Sequence, residues 1–358
     1  MDGKPQYCSR CKKNRVMILR EHSGERVCRA CFLSEIQARV RKTISRLDML
    51  NNQDKLALAV SGGKDSVVLV KVLFTIHENL IGQQAKNGKP PVMITIDEGI
   101  EGYREESIKI TEKLAGEFNV QHVIFSLKKE FGKGLDEVVS GMSDNEIMAG
   151  SNLKIQDGQL KNASKLIFKP CSICGVLRRR ILNDVAAGVG ATKLATGHNL
   201  NDEVETFLLN VFKGDVNRLE RGASLLLEES GPFVKKIKPL RNVLQKDIVL
   251  YLYHVKGDFQ DTPCPYSREE GIFRGEIQEI LNSLENNHPG TIFNINKFMG
   301  EILPSIARPV VKGTLSTCPS CNSLKSKSLE KCMPCYYIEK IYSKDYGNIL
   351  KNFIDSIN

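Results

Sequence analysis

The sequence predicts an α/β protein, built on a doubly wound parallel sheet with a small metal-binding module at each end. Three observations predict it: short apolar runs alternate with helical periodicity in the middle, a glycine-rich turn follows the first run, and cysteines cluster at both ends. The 358 residues, 41% of them hydrophobic, suffice for one large core with appendages, and no apolar stretch is long enough to span a bilayer.

The order of apolar segments defines the predicted sheet. Strands are expected at residues 55–60, 91–96, 120–125 and 193–196. Helices are expected at residues 37–50, after the glycine-rich turn up to about residue 80, and at 104–118, 175–189 and 201–212. Residues 128–165 are rich in Gly, Ser, Asn and Asp and lack apolar periodicity, so an inserted mobile loop is expected there.

The glycine-rich turn is a candidate phosphate cradle. It reads Ser61-Gly62-Gly63-Lys64-Asp65-Ser66 and lies between the first strand and its helix. Glycines let backbone N–H groups approach an anion, and the helix N-terminus favours negative charge. The spacing differs from the Walker A loop. Asp97, at the end of the second strand, is placed at the same edge by topology.

Eight of the eleven cysteines form two sets with zinc-ligand spacing. The N-terminal quartet is Cys8, Cys11, Cys28 and Cys31; the C-terminal quartet is Cys318, Cys321, Cys332 and Cys335. Each set contains two C-x-x-C pairs, which suit a tetrahedral Zn²⁺. A disulfide framework is the alternative, but the first residues do not resemble a signal peptide, and a reducing, cytoplasmic location favours two zinc ions.

The remaining cysteines form a central trio, Cys171, Cys174 and Cys264. Three thiolates hold an iron–sulfur cluster with one iron open, whereas a persulfide carried on Cys171 or Cys264 is the alternative within the same chemistry. The helix start and the arginines at 178–180 are expected to favour thiolates at Cys171 and Cys174.

Positive charge is concentrated at the two ends. Residues 1–50 contain twelve Lys and Arg against five acids, and residues 311–358 contain seven Lys against four acids. Basic modules on both sides of a nearly neutral body favour a polyanionic partner such as RNA. A solvated basic surface without function is the simpler alternative for this charge on its own.

Several segments together resemble a known family. SGGKDS after an apolar strand resembles the PP-loop of the N-type ATP pyrophosphatases, a Rossmann-like fold. KPCSICGVLRRR at 169–180, TGHNLNDEVET at 196–206 and DTPCPYS at 261–267 are similar to the TtcA/TtuA family of tRNA 2-thiolation enzymes. The two flanking quartets place the chain nearest the TtuA-like group, which includes archaeal and eukaryotic wobble-uridine thiolases.

The resemblance implies an ATP-dependent tRNA 2-thiouridine synthetase. Such an enzyme adenylates the C2 oxygen of a uridine and replaces it with sulfur, using Mg²⁺ and a cluster on the trio, usually [4Fe–4S], with [3Fe–4S] as an alternative state on isolation. Lys64 is the candidate for stabilising charge on the departing pyrophosphate. Arg178, Gly197 and Asp202 match nucleotide-site or cluster-side positions, and Asn201 stands where the family often has a second acid.

Other functions and the partners follow from the same resemblance. A tRNA 2-thiocytidine synthetase and a non-enzymatic zinc-ribbon tRNA-binding protein are the alternatives. The sulfur donor is either free sulfide or a thiocarboxylated ubiquitin-like carrier, and a homodimer is expected. The choice between a wobble and a T-loop uridine stays open. The predicted domains are residues 1–36, 37–310 and 311–358.

Overall fold

A five-stranded parallel sheet forms the centre of the computed structural model, which describes residues 7–141, 170–216, 218–219, 234–268, 273–306, 315–321, 324–327 and 329–357. Its strands are β3 (Leu56–Ala59), β4 (Val92–Asp97), β5 (Gln121–Ser126), β6 (Lys193–Ala195) and β7 (Lys235–Ile237). They lie in the order β5-β4-β3-β6-β7, and all neighbouring pairs are parallel. The order reverses beside β3, the position where doubly wound sheets bind ligands.

The sheet is buried on both faces because its strands are apolar on both sides. Leu56 and Leu58 of β3 belong to the core on one face, and Ala57 between them belongs to the core on the other. All three are at most 1% exposed. Side chains alternate along a strand, so continuous apolar runs such as this one indicate a sheet covered by helices on both sides.

Helices surround the sheet and connect its strands. Those of the central body are α1 (Arg29–Arg46), α2 (Lys64–Ile76), α3 (Glu78–Lys86), α4 (Arg104–Phe118), α5 (Leu127–Phe131), α6 (Leu135–Ser140), α7 (Pro170–Gly188), α8 (Leu200–Phe212), α9 (Gln245–Val255), α10 (Phe273–Asn287) and α11 (Thr291–Ile306). A short 3-10 helix, Pro265–Arg268, follows the last cysteine of the central trio.

The N-terminal quartet lies on one face of the sheet. A two-stranded hairpin, β1 (Ile18–Arg20) and β2 (Glu25–Val27), leads into α1. Cys8, Cys28 and Phe32 are buried in the same hydrophobic core as α2 and α9. This end of the chain therefore shares its apolar interior with the central body.

The C-terminal part of the chain covers the opposite face with its helices. It comprises β8 (Leu315–Thr317), β9 (Leu324–Ser326), α12 (Met333–Tyr337), a π-helical turn at Ile338–Tyr342 and α13 (Tyr346–Ile357). Phe353 of α13 packs edge-on against Phe125 of β5 at 4.7 Å between ring centroids. A Cβ atom at Gly188 would lie 2.1 Å from Ile354. Helix α13 can therefore pack against the end of α7 only because Gly188 has no side chain.

The structure confirms the fold class and the four predicted strands, and it corrects several segments. The predicted loop at 128–165 is wrong over its first part, because α5 and α6 lie there; residues 142–165 lie outside the described residues. The helix predicted at 175–189 begins earlier, at Pro170, and the one predicted at 37–50 begins at Arg29. The helix after the glycine-rich turn divides at His77.

Strand β7 was not predicted, because its sequence Lys-Lys-Ile has one apolar residue and only Ile237 is buried. The division of the chain into three domains stays a prediction.

Candidate functional site

The glycine-rich turn joins the end of β3 to the start of α2, at the edge where the strand order reverses. Gly63 is the N-cap of α2 and offers no side chain to the first N–H groups of the helix. Ser66 is committed to the turn, since its hydroxyl donates to the Gly63 carbonyl at 2.9 Å and accepts from the Ser61 N–H at 3.1 Å. The helix N-terminus therefore keeps backbone donors for an anion.

Two glycines let the neighbouring backbone close around the turn. Gly62 has φ +81, and a Cβ atom there would lie 2.8 Å from the Ser107 carbonyl oxygen of α4. A Cβ atom at Gly197, after β6, would lie 2.9 Å from the Asp65 carbonyl carbon. Any side chain at either position would force the turn apart.

The charged residues of the turn meet the start of α8. Lys64 Nζ lies 3.3 Å from Asp65 Oδ2. Asn199 Nδ2 donates to Asp65 Oδ1 at 3.0 Å, and Asn199 also forms a capping box with Asp202, whose carboxylate accepts from its N–H at 3.0 Å. Asn199 therefore connects Asp202 to the glycine-rich turn.

Arg274 at the start of α10 holds two acids of α8. Its guanidinium lies 3.3 Å from Asp202 Oδ1 and 3.3 Å from Glu205 Oε2. Burial raises the pKa of Glu205, while Arg274 and the nearby Lys64 act in the opposite direction. Asp202 and Glu205 offer carboxylate oxygens, the ligand type that Mg²⁺ prefers, on the helix that contacts the turn.

The central trio comes from two segments that meet at the same side of the sheet. Cys171 and Cys174 lie in the first turn and a half of α7, and the Cys171 Sγ donates to the Tyr266 carbonyl at 3.2 Å, two residues beyond Cys264. Cys174 and Cys264 both pack against the core of this face. The structure therefore brings together the three cysteines that the sequence separates by up to 93 positions.

A buried carboxylate, Glu98, joins the trio to the glycine-rich turn. It is 1% exposed; its Oε1 lies 3.9 Å from the Cys174 Sγ and 3.5 Å from Arg178 Nη1, and its Oε2 pairs with Arg104 Nε. Arg104 in turn donates to the Ser61 carbonyl at 3.2 Å. Glu98 belongs to none of the predicted site residues; its signal in the sequence is an acid directly after β4, next to Asp97.

The structure corrects the expected ionisation of Cys174. Burial and then the charge of Glu98 raise the pKa of this thiol to about 12, and Arg178 and Arg104 only partly oppose them. Without a bound metal, Cys174 is therefore a thiol at neutral pH. Metal binding must displace its proton, as it does wherever thiolates ligate a cation.

Asp97 ends β4 at the predicted edge of the sheet, and its role in nucleotide binding stays a prediction, whereas Arg180 lies elsewhere than the sequence suggests. Asp97 Oδ1 accepts from the Gly99 N–H at 2.9 Å, which closes a local turn. Arg180 donates to the Cys321 Sγ at 3.3 Å and pairs with Asp184 at 2.5 Å, so it contacts the C-terminal quartet and is not directed at the trio.

The two quartets have the geometry of single-ion sites. In each, all four sulfurs lie within 4.8 Å of one another, and in the described part of the chain no other group of His, Cys, Asp or Glu meets that limit. The Cys11 and Cys28 sulfurs are 3.8 Å apart. A tetrahedral ion with Zn–S bonds of about 2.3 Å places its ligands about 3.8 Å apart, so the donor set and spacing fit zinc.

The three sulfurs of the trio do not all lie within 4.8 Å of one another, so their spacing differs from that of a single-ion site. Each cysteine of a cluster binds its own iron, so its ligand sulfurs stand further apart than those on one ion. Three soft thiol donors at one edge, beside two arginines, fit an iron–sulfur cluster in donor chemistry.

Backbone donors lower the pKa of Cys8 and Cys11 in the N-terminal quartet, whereas burial and the neighbouring thiols raise the pKa of Cys31. Burial alone would raise the pKa of Cys8, but N–H groups of Cys11, Cys28 and Arg10 bring it down to about 6. Such donors stabilise a thiolate before a cation arrives.

Sequence and structure comparisons agree with this geometry. The PP-loop domain family matches residues 33–141, which contain β3, the glycine-rich turn, β4 and β5. The fold and the turn thus define a PP-loop protein with three cysteine sites. Within the described residues, no helix is both long and apolar enough to cross a membrane.

Named relatives match over almost the whole chain. Cytoplasmic tRNA 2-thiolation protein 1 of Aspergillus niger is 33% identical over 335 residues, covering 94% of this chain and 88% of the relative. tRNA 2-thiolation protein NcsA of Haloferax volcanii is 33% identical over 349 residues, covering 93% and 98%. The chain belongs to this family of tRNA 2-thiolation proteins.

A solved structure of the same family matches the fold. The U34-tRNA thiolase NcsA from Methanococcus maripaludis with its [4Fe-4S] cluster superposes with a TM-score of 0.72 at 30% identity, covering 94% of this chain and 96% of that one. The resemblance to the family inferred from the cysteine and glycine motifs is thereby confirmed.

Proposed function

We propose that this protein is an ATP-dependent tRNA-uridine 2-sulfurtransferase that acts in the cytoplasm. It adenylates the C2 oxygen of a tRNA uridine and then replaces that oxygen with sulfur. The observation that carries the proposal is the connection from the glycine-rich turn through Arg104 and Glu98 to Cys174, because it joins a nucleotide site to a sulfur site. The names of the relatives support tRNA as the substrate and the cytoplasm as the location.

The turn residues bind and activate ATP. The uridine C2 oxygen attacks the α-phosphorus, the bond to the β-phosphate oxygen breaks, and pyrophosphate leaves. Backbone N–H groups of Gly62, Gly63 and Lys64 offer donors to the phosphates, with Asp65 and Ser66 fixing the turn. The Lys64 ammonium stabilises the negative charge that grows on pyrophosphate, and Asp202 would help to hold a Mg²⁺ ion, which would add positive charge there.

The trio supplies the second half of the reaction. A sulfur nucleophile at the oxidation state of sulfide attacks C2, the C2–O bond breaks, and AMP carries the original oxygen away, so no external oxidant or reductant is needed. An iron–sulfur cluster on Cys171, Cys174 and Cys264, when bound, supplies an open iron for that sulfur. Arg178 lies on the exposed side of this site, where its charge attracts an adenylated, phosphate-bearing substrate.

The uridine and the sulfur donor are finer parts of the proposal. The thiolase of known structure acts on U34, which favours the wobble position over the T-loop. Either free sulfide or a thiocarboxylated carrier satisfies the electron balance above. The quartets are proposed to hold zinc and to present basic surface to tRNA, and a homodimer is proposed.

Nucleoside mass spectrometry of tRNA from a strain that lacks the protein tests this function. We expect loss of wobble 2-thiouridine and its recovery with the wild-type gene but not with Lys64→Ala. Loss of T-loop 2-thiouridine would reassign the uridine, and loss of 2-thiocytidine would reassign the base. An unchanged nucleoside profile would refute the enzymatic function and favour a tRNA-binding role.

A further inference from the structure

We propose that Glu98 is a positioning residue which couples the glycine-rich turn to the proposed sulfur site. With Oε2 it holds Arg104 against the Ser61 carbonyl, and with Oε1 it sets the charge beside Cys174. The inference rests on the proposed function and adds a residue that neither the motifs nor the cysteine spacing identifies.

The surroundings of Glu98 leave its carboxylate little freedom. Its backbone carbonyl accepts from the Leu135 N–H at 2.7 Å, so α6 fixes the main chain there. The adjacent Gly99 has φ +69 and lies so close to Gly134 that a Cβ atom would be 2.7 Å from its Cα. The turn after β4 is therefore held rigidly, and the carboxylate is directed between Arg104 and Arg178.

The Arg104 contact gives Glu98 influence over the phosphate cradle. Arg104 is 4% exposed and also donates to the Ser107 hydroxyl at 3.3 Å, on the helix that presses against Gly62. With the carboxylate removed, this buried guanidinium would lose its counter-charge and the turn would lose a fixed support. Loss of the Glu98 carboxylate is therefore expected to weaken ATP binding, although Glu98 acts on the glycine-rich turn only through Arg104.

The Cys174 contact gives it influence over the metal group. The Glu98 Oε1 lies 3.9 Å from the Cys174 Sγ and 3.5 Å from Arg178 Nη1, so its charge stands beside one of the proposed cluster ligands. Negative charge near a cluster stabilises its oxidised form, so a neutral amide at position 98 raises the reduction potential. Glu98 is therefore expected to affect both ATP binding at the glycine-rich turn and the reduction potential at the trio.

The test compares full-length wild type, Glu98→Gln and Arg104→Lys, purified anaerobically with the cluster. For Glu98→Gln we expect wild-type iron content, ATP affinity lower by about tenfold, and a more positive cluster potential. For Arg104→Lys, which keeps the charge pair but loses the forked reach to Ser61, we expect weaker ATP binding at an unchanged potential. Glu101→Gln, an exposed acid three residues on, is the matched control and should equal wild type.

Each outcome decides the inference. Unchanged ATP affinity and potential in Glu98→Gln would overturn it, and so would a change in only one of them. Loss of iron with a lower melting temperature would reduce Glu98 to a structural residue and also overturn it. If wild type itself neither binds a cluster nor forms AMP with tRNA, the proposed function fails instead, before the variants are compared.

Discussion

The two quartets share one ligand set but are joined to the sheet in different ways. Cys8 and Cys28 of the N-terminal quartet are buried in the core that also contains α2 and β3, whereas Cys318, Cys332 and Cys335 form a small cluster of their own. A metal site continuous with a core contributes to the stability of the whole body. One that stands apart stabilises mainly its own segment.

The polar contacts of the quartets differ in the same direction. Arg20, on the hairpin between the N-terminal cysteines, is 2% exposed and pairs with Asp247 of α9 at 3.0 Å and with Glu35 at 3.1 Å. The C-terminal quartet contacts α7, the helix that carries two cysteines of the trio, through Arg180, and α12, which carries Cys335, places Tyr337 in the core beside α7. The first module is therefore coupled to folding, and the second to the sulfur site.

The largest expected effect is that of Cys28→Ser. It should remove one zinc ion per chain and lower the free energy of unfolding of the whole body by at least about 3 kcal/mol, because a site worth more than this in isolated modules is lost from the shared core. Metal analysis and urea unfolding measure both effects. Wild-type stability after loss of the zinc would contradict a role of the N-terminal quartet in stabilising the whole body.

Next comes Arg20→Met, which leaves Asp247 buried without its partner. Breaking a buried pair costs about 3–5 kcal/mol, whereas replacing both members by apolar residues is often nearly neutral. Urea unfolding of Arg20→Met and of the double variant Arg20→Met, Asp247→Leu makes the comparison. If the double variant is no more stable than the single one, the pair is not what docks this module.

The C-terminal counterpart, Cys332→Ser, should have a smaller effect on stability and a larger one on the sulfur site. We expect one zinc ion fewer, a main unfolding transition within about 1 kcal/mol of wild type, and thiolation reduced roughly tenfold, since Arg180 of α7 loses the ordered Cys321 sulfur as its partner. Iron content, zinc content and tRNA thiolation are measured on one preparation. A fall in the main transition as large as that of Cys28→Ser would contradict the separation.

The smallest effect is expected from Tyr346→Phe. The Tyr346 hydroxyl donates to Asp184 Oδ2 at 2.7 Å, and the ring lies under the Arg180 guanidinium at 5.8 Å. Removing one such hydrogen bond costs about 1 kcal/mol, and the ring contact remains. Stability by urea unfolding should fall by that amount with zinc content unchanged; loss of zinc would mean that this contact holds the quartet.

Sequence alone predicted the parts of the site that depend on local pattern. The glycine-rich turn is recognisable because the apolar strand, the glycines and the helix follow one another within a few residues. The quartets are recognisable from their spacing. The trio was found because three cysteines remained after the quartets were complete, and the structure places Cys171 beside the segment of Cys264.

The features that the sequence does not predict depend on burial and on contacts between residues far apart in the chain. Glu98 is one of 42 acids, and only its burial between two arginines distinguishes it. Arg180 follows the cysteine pair, so proximity in sequence suggested a role at the trio, yet its position on α7 directs it to Cys321. Strand β7 forms because β6 offers a free edge, which three residues with two lysines do not reveal.

The packing of α13 against Gly188 also orders events during synthesis. Helix α7 and the strands of the second face are made long before Phe353 and Ile354, which cover them. While the chain emerges from the ribosome, the first face can close with its own metal module, as N-terminal units do. The core on the second face, against which Cys174 and Cys264 pack, is covered only after α13 has been made.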